Sequence, residues 1–218
     1  MKSESAGSAT GRTRNRRGEG ALLRDEIVAA AERILEREGN EEALTLRSVA
    51  REAGISAPSI YTHFADRDAI IDAVLALAFE RLRARVVAAA EVATDPVQRL
   101  VAGCRAYCAF GMEDPAQYRL LFGRQRTTRR QLEYPADMSQ LPDVWQQNLQ
   151  GFMVLVEGLR ECVAAGRSTS TDPVADATTL WTSMHGAVTI RQFLPGFPLP
   201  PIERTVEDLV HRIGLITS

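Results

Sequence analysis

The stretch GISAPSIYTHF, residues 54–64, places a glycine, a proline and several polar residues in one short segment. Ala50, four residues before Gly54, is small enough for two short helices to cross there, and Gly54 accepts the positive φ that a tight turn requires. Ile60, six residues after Gly54, supplies a β-branched apolar contact from the following helix. This spacing predicts a helix-turn-helix motif.

The helix that follows Gly54 has two different faces. Ile60 and Phe64 are four residues apart, so they lie together on an inward face. The outer residues are Pro58, Ser59 and Thr62, with Tyr61 at the edge and His63 on the opposite flank. Hydroxyl groups can bond base edges, a proline ring and a threonine methyl can contact a thymine methyl, and a phenol can bond a phosphate oxygen. We therefore predict a recognition helix for the DNA major groove; the alternative is that these polar residues are simply solvated.

Helical periodicity continues on both sides of this motif. Apolar residues recur at intervals of three and four from residue 22 to Gly39, which predicts a first helix with a glycine stop. Thr45 is expected to cap the second helix, Ser56 the third, and Asp66 a fourth that runs toward residue 92. Five more helices are predicted at about residues 97–111, 115–122, 142–165, 173–193 and 202–216, with a loop over 124–141 and a proline break at 194–201. The fold class is therefore all-α, with an N-terminal three-helix helix-turn-helix domain and a larger C-terminal helical domain.

Composition and charge are those of a soluble protein. The 218 residues are 45% hydrophobic and 25% charged, and the net charge of -2 excludes a protein that coats nucleic acid with uniform positive charge. Residues 1–20 contain little that could be buried, so we expect a disordered basic arm that contacts the minor groove or phosphates, or else a tail without a role. The arginines of this arm are Arg12, Arg14, Arg16 and Arg17. Neither a secretory signal nor a membrane-spanning run is predicted, and the protein should be cytosolic.

The segment TLRSVAREAGISAPSIYTHFADRDAII, residues 45–71, resembles the tetracycline-repressor (TetR) family of bacterial transcription regulators. The resemblance covers about residues 22–75 and includes Tyr-x-His-Phe at Tyr61, His63 and Phe64, followed by the capping Asp66 and the basic Arg67. Members of the family commonly carry lysine at the position of Arg67, near a phosphate. The residues expected to contact DNA are Arg12, Arg14, Arg16, Arg17, Thr45, Arg47, Ala57, Pro58, Ser59, Tyr61, Thr62, His63 and Arg67.

The resemblance also implies a division of labour along the chain. It implies a helix-turn-helix DNA-binding domain over residues 21–68, a linking fourth helix over about 66–92, and an effector-binding and dimerisation domain over 93–218. The expected partners are double-stranded DNA, a small-molecule effector and a second copy of the chain; no cofactor and no membrane are implied. Two-fold symmetry would require a palindromic operator.

The C-terminal half carries a second, weaker similarity. YCAFGMEDPAQYRLLFG at 107–123 and LWTSMHGAV at 180–188 are similar to regulators with a Trp-x-x-x-His-Gly signature, here Trp181, His185 and Gly186. Trp181 and His185 are four apart and share a helix face, and Gly186 is expected to permit close helix packing. The candidate effector contacts are Tyr107, Phe110, Trp145, Phe152, Met153, Trp181 and His185. The alternative is that these side chains fill the core. If they line a cavity, its apolar character would favour a hydrophobic effector.

The last two helices are expected to form the dimer interface, packing against their symmetry mates as a four-helix arrangement. The apolar residues assigned to this interface are Leu180, Met184, Val188, Val206, Leu209, Val210 and Ile213.

Three further hypotheses stay open from the sequence. Cys104 and Cys108 share a helix face, which allows a redox or metal switch, although small buried cysteines are the commoner case. An interaction module that does not bind DNA is another. An enzyme is disfavoured because the sequence has no phosphate-binding glycine loop, no Gly-x-Ser-x-Gly and no His-Glu-x-x-His, and its histidines, His63, His185 and His211, are far apart. Hence no catalytic residue and no metal ligand is assigned.

Overall fold

The computed structural model describes residues 19–123 and 143–217, with side chains described for 21–123 and 149–217. Within these residues the chain forms helices and no strand, which confirms the all-α fold class. The helices are α1 (Glu19–Glu38), α2 (Leu46–Glu52), α3 (Ala57–Ile60), α4 (Arg67–Glu91), α5 (Pro96–Glu113), α6 (Pro115–Phe122), α7 (Asp143–Ala164), α8 (Pro173–Phe193) and α9 (Ile202–Ile213). Within the described ranges, no helix is long and apolar enough to cross a membrane.

The chain divides into two compact units, residues 1–70 and 71–218. The described part of the first unit contains α1, α2, α3 and the start of α4. Its core comes from one stripe of α1, including Ile27 and Ile34, together with Leu44, Val49 and Ile60, all of which are buried. Burial of this stripe is what lets the short α2 and α3 persist, because isolated helices of this length are unstable in water.

The turn between α2 and α3 has the geometry that the spacing predicts. Ala50 and Ile60 are buried, and Gly54 adopts a φ of +68°, the left-handed region that disfavours a side chain. A Cβ built on Gly54 would meet no atom within 4 Å, so the backbone angle rather than crowding requires glycine here. The prediction of a helix-turn-helix at this point is confirmed.

Side chains cap the helices at most of the predicted places. Thr45 and Ser48 form a reciprocal capping box at α2, in which the Ser48 amide donates to Thr45 Oγ1 at 3.0 Å and the Thr45 amide to Ser48 Oγ at 2.8 Å. Asp66 caps α4 by accepting from the Ala69 amide at 2.8 Å. Ser56 does not cap α3; its hydroxyl lies 2.7 Å from Ser59 Oγ instead, so that expectation was wrong.

In the second unit, three helices begin with the same two-residue device. An aspartate accepts a hydrogen bond from an amide of the first turn, and the proline that follows needs no amide partner there. These pairs are Asp95 and Pro96 at α5, Asp114 and Pro115 at α6, and Asp172 and Pro173 at α8. The pairs fix where the helices start. Helix α5 then packs on α6, α7, α8 and α9, and its buried residues include Val101 and Cys108.

The assignment of α8 and α9 side chains to a dimer interface is not supported for most of the residues named. Leu180, Met184, Val188, Val206 and Val210 are buried inside the protomer, where α8 and α9 pack on each other and on α5. They are therefore unavailable to a partner in this conformation. Leu209 and Ile213 are half-buried. An apolar stripe shows that a face is covered, but it does not show whether the cover belongs to the same chain.

Candidate nucleic-acid interface and ligand cavity

The short helix α3 and the turn after it present a polar surface above a buried apolar one. Ile60 and Phe64 are buried, and the guanidinium of Arg24 lies 5.0 Å from the centre of the Phe64 ring, a cation–π contact that helps hold the turn against α1. Pro58 and Thr62 are exposed and Tyr61 is 61% exposed. The predicted inward and outward faces therefore correspond to the structure.

The hydroxyl groups of this face already take part in local hydrogen bonds. Thr62 Oγ1 donates to the carbonyl oxygen of Ser59 at 2.7 Å, and Ser59 Oγ lies 2.7 Å from Ser56 Oγ. A hydroxyl that donates to its own backbone keeps its lone pairs, so Thr62 is arranged to accept from a base amino group and to present its methyl group. The exocyclic amines of adenine and cytosine are donors of this kind.

Arg67 has a structural role that sequence reasoning did not foresee. Its Nε donates to the carbonyl oxygen of Leu44 at 2.6 Å, and its Nη2 donates to the carbonyl oxygen of Glu41. Nη1 lies 3.9 Å from a carboxylate oxygen of Asp68. The side chain thus ties the start of α4 to the segment before α2, and the phosphate role assigned to it remains a prediction. These contacts span more than twenty residues, which is why no local pattern reveals them.

The other predicted DNA contacts are distributed as follows. Thr45 and Arg47 are exposed at the start of α2, while Ala57 and His63 are half-buried. Arg12, Arg14, Arg16 and Arg17 lie outside the described residues.

A cavity of about 280 Å³ lies in the second unit, between α4, α5, α6, α7 and α8. Among the candidate effector contacts, Tyr107, Phe152 and Trp181 line it. Phe110 and His185 do not, and Met153 is exposed on α7 without lining it. The side chain of Trp145 lies outside the described residues.

Aromatic rings gather at one end of this cavity. Phe122 lies 5.7 Å from Phe79 and 6.2 Å from Tyr107, measured between ring centres, and Phe152 lies 6.1 Å from Trp181. These contacts are edge-to-face, an arrangement that aromatic rings favour. The sequence analysis did not assign Phe79 and Phe122 to the cavity. Their positions on apolar helical stripes indicated burial, but no local pattern distinguishes a side chain that lines a cavity from one that fills the core.

His185 belongs to a polar cluster beside the aromatic end. Its Nδ1 lies 2.6 Å from the phenolic oxygen of Tyr118 and 3.4 Å from that of Tyr107, and the two phenolic oxygens are 3.0 Å apart. Burial lowers the pKa of His185 and raises the pKa of both tyrosines, which favours the neutral form of all three groups. The cluster joins α5, α6 and α8 without placing a charge in the core.

Gly186, next to His185, does not serve the purpose expected of it within the protomer. A Cβ at this position would meet no atom within 4 Å, so no close helix packing depends on it there.

The three cysteines are free and buried. Burial raises the pKa of Cys104, raises that of Cys108 to about 12, and raises that of Cys162 to about 11 with help from Asp95 and Glu161. The thiolate is the nucleophile and the metal ligand, so these environments disfavour both chemistries. No group of three or more histidine, cysteine or acidic side chains within the described ranges could hold a metal ion.

Comparison with known proteins gives one consistent result. Residues 27–74 match the family model described as bacterial regulatory proteins of the tetR family, and residues 100–213 match a tetracyclin repressor-like C-terminal domain. The HTH-type transcriptional activator FasR of Mycolicibacterium smegmatis (strain ATCC 700084 / mc(2)155) is 34% identical over 123 residues, 54% of this chain and 55% of the relative. The chain thus spans about half the length of this curated relative.

Solved structures share the fold over nearly the whole chain. A protein with unknown function from Rhodococcus sp. RHA1 is 28% identical with a TM-score of 0.70, covering 88% of this chain and 93% of the other. The fatty acid degradation regulator FadR from Bacillus halodurans is 15% identical with a TM-score of 0.63, covering 91% and 97% of the two chains. At 15% identity the second similarity shows the fold alone.

Proposed function

This chain belongs to the tetracycline-repressor (TetR) family of bacterial transcription regulators, and on that premise we propose that it is a homodimeric repressor released from a palindromic operator by a small hydrophobic effector. The observation that carries the proposal is the largely apolar cavity of about 280 Å³ in a chain that also has a helix-turn-helix with an exposed polar face. Cavities with apolar walls and a few polar groups are the usual form of small-molecule sites.

In this proposal residues 21–68 bind DNA and residues 93–218 bind the effector and dimerise. Thr62 and Pro58 contact bases, whereas Tyr61, Arg47 and the arginines of residues 1–20 contact the sugar–phosphate backbone. Backbone contacts set the position of the protein on DNA, and base contacts set its sequence preference. The protein then acts in the cytoplasm, on the chromosome.

The effector acts through α4, the helix that begins at Arg67 and contributes Phe79 and Val86 to the cavity wall. A ligand between α4 and α7 favours the conformation in which it fits best, and α4 shifts with it. The two recognition helices of the dimer then lose the spacing of about 34 Å, or a multiple of it, that successive major grooves require. Induction is a population shift, limited by the difference in effector affinity between the two conformations.

Dimerisation in the region of α8 and α9 is supported by an exposed apolar patch at the end of α8 and in the segment before α9, not by the buried residues discussed above. Phe193 is 71% and Phe197 60% exposed, and Ile190 and Leu194 are exposed beside them in sequence. Patches of this kind on soluble proteins usually mark interaction surfaces. The open side of Gly186 lies on the same helix as Ile190 and Phe193.

Activation is the second candidate for the sign of regulation, because the FasR relative is named as an activator. The Trp-x-x-x-His-Gly subgroup remains a prediction within the family. A reporter gene placed behind the selected operator decides the sign: deletion of the regulator raises expression for a repressor and lowers it for an activator.

The first experiment selects sequences from a random double-stranded DNA library with the purified protein at moderate salt. We expect enrichment of a palindrome with two half-sites and a dimer in sedimentation at micromolar concentration. Thr62→Ala should weaken operator binding by about 1 kcal/mol and relax one position of the half-site. Thr94→Ala, an exposed threonine of the second unit, is the matched control and should change neither. Salt-sensitive binding without enrichment, or a monomer, contradicts the proposal.

A further inference from the structure

We propose that the cavity binds an amphipathic monocarboxylate, with the carboxylate on Arg99 and the apolar body at the aromatic end. This inference rests on the proposed effector site and names the chemical class of its ligand. The structural feature behind it is an arginine in the cavity wall whose hydrogen-bonding capacity is not used up by its neighbours.

The cavity has two chemically different ends. On α5 the lining residues run from Arg99 through Gly103 to Tyr107, a span of about 12 Å along the helix axis. Phe79, Phe122 and Trp181 surround the Tyr107 end. Arg99, with Glu161 of α7 near it, marks the other end. A ligand that fills both ends is elongated, with one apolar and one polar terminus.

The guanidinium of Arg99 has unused hydrogen-bonding capacity at the polar end of the cavity. Its Nε is buried and has no hydrogen-bond partner among the described residues. Its Nη1 lies 3.6 Å from a carboxylate oxygen of Glu161, too far for a normal hydrogen bond. The side chain as a whole is 39% exposed and lines the cavity, so a ligand oxygen would reach the outer edge of the guanidinium, where Nη1 has no close acceptor, and not the buried Nε. A carboxylate is the acceptor whose two oxygens match a guanidinium edge.

Three carboxylates of the described residues line the cavity: Glu157 and Glu161 each have an arginine nearby, whereas Glu91 is exposed at the end of α4. Glu157 has Arg160 3.5 Å away, and Glu161 faces Arg99 itself. Asp95, one helical turn before Arg99, is held by Arg167 at 2.7 Å and by the Gln98 amide. Arg99 favours an anionic head group, and a cationic one, which Glu91 would favour, is the alternative that the experiment has to exclude.

The second arginine of the wall differs in this respect. Arg83 donates from Nε at 2.9 Å and from Nη2 at 2.7 Å to the carboxylate of Glu80. Because Nε and Nη2 of Arg83 both donate to Glu80, this edge of its guanidinium is not available to a ligand. Arg83 is therefore a matched control, with the same residue type and the same charge in the same cavity wall.

Volume limits the size of the probe. A cavity of about 280 Å³ has the liquid volume of roughly nine water molecules, which suits a ligand of roughly ten non-hydrogen atoms. Octanoate has this size and carries its charge at one end. 1-Octanol and octylammonium keep the same alkyl chain and replace the head group by a neutral and a cationic one.

The experiment is calorimetric titration of the full-length protein at neutral pH with octanoate, 1-octanol and octylammonium. We expect octanoate to bind about tenfold or more tightly than octanol, because it alone makes a charge-assisted pair. Arg99→Gln should bring octanoate affinity down to that of octanol and leave octanol affinity unchanged, which shows that the cavity is intact. Arg83→Gln should preserve the difference, and Glu161→Gln should tighten octanoate binding by removing a competing carboxylate.

Each of the following results overturns the proposal: equal affinity for octanoate and octanol, a preference for octanoate that survives Arg99→Gln, or tighter binding of octylammonium than of octanoate. Binding of none of the three to folded protein overturns it as well. Failure here is separable from failure of the proposed function. Selection of a palindrome without Arg99-dependent octanoate binding removes the inference alone, whereas Arg99-dependent binding without palindrome selection removes the DNA function alone.

Discussion

The phenolic oxygen of Tyr118 lies 2.6 Å from Nδ1 of His185, which connects α6 to α8 in the second unit. When Tyr118 donates to Nδ1, the neutral imidazole carries its proton on Nε2. Protonating Nδ1 would remove the acceptor and place a charge where burial already lowers the pKa of His185. The folded state therefore prefers neutral His185.

The preference for neutral His185 predicts a loss of stability in mild acid. An unfolded histidine has a pKa of about 6.5, so below that pH the unfolded chain binds a proton that the folded chain does not yet accept. The contribution to stability is complete above about pH 6.5 and is lost as the pH falls toward the lower folded pKa. Urea unfolding between pH 7.5 and 5.5 should show this loss in the wild type and a flatter profile in His185→Gln.

His211→Gln is the control for that pH profile, because His211 is an exposed histidine on α9. Its profile should follow the wild type. If His185→Gln keeps the wild-type slope, the pH dependence arises from other groups and the role given to the Tyr118–His185 contact is wrong.

Gly54 gives a prediction about backbone conformation alone. Gly54→Ala should destabilise the protein by about 1 kcal/mol, because alanine is strained at a φ of +68° while its methyl group meets no atom within 4 Å. Gly151 also has open space but lies inside α7, outside the left-handed region. Gly151→Ala should therefore stabilise by up to about 1 kcal/mol, as expected for a helix interior. Thermal unfolding of both variants tests the pair, and equal effects would contradict the argument.

The features that sequence reasoning predicted correctly are those decided within one or two helical turns. Thr45 caps α2 through contacts three residues away, and Gly54 occupies a turn that only a few residues define. Such contacts depend on the identity of near neighbours, which the sequence displays. Ser56 was the local failure, because Ser59 competes for its hydroxyl at 2.7 Å.

Features that depend on distant residues were the ones missed. Val188 and Val206 were assigned to a dimer interface, but other helices of the same chain bury them. Arg67 bonds Leu44, and Phe122 meets Phe79, across separations that no periodic pattern encodes. Tyr107, Phe152 and Trp181 were predicted correctly to line the cavity. Phe110, which is also an aromatic residue on an apolar helix, instead packs beside Tyr118. Residue type indicates burial, and only the fold decides what a buried side chain faces.

The buried thiols predict slow chemical modification. Burial raises the pKa of Cys162 to about 11 and that of Cys108 to about 12, so thiolate is scarce at pH 8 and native reactivity should fall roughly hundredfold or more below that of a free thiol. A thiol-specific chromogenic reagent should titrate all three cysteines only in denaturant. Thr94→Cys, at an exposed position, should add one fast thiol.

Oxidant response provides a second test of these thiols. The variant carrying Cys104→Ser and Cys108→Ser should keep the operator affinity of the wild type, both with and without a mild disulfide-forming oxidant. Release of wild-type protein alone by the oxidant would revive the redox hypothesis.

Gly111 of α5 lies where side chains of α6 and α8 come close to the α5 backbone. A Cβ there would lie 2.6 Å from Val188 Cγ1 and 2.8 Å from Tyr118 Cδ2, and both side chains are buried. Gly111→Ala should therefore destabilise by about 1–3 kcal/mol through overpacking, despite the better helix propensity of alanine. Val188→Ala leaves a void at the same spot, so the two changes should compensate when combined, giving a favourable coupling energy in a double-mutant cycle measured by urea unfolding. Additive effects would show that the helices separate to accept the methyl group, and that Val188 does not set the distance between α5 and α8.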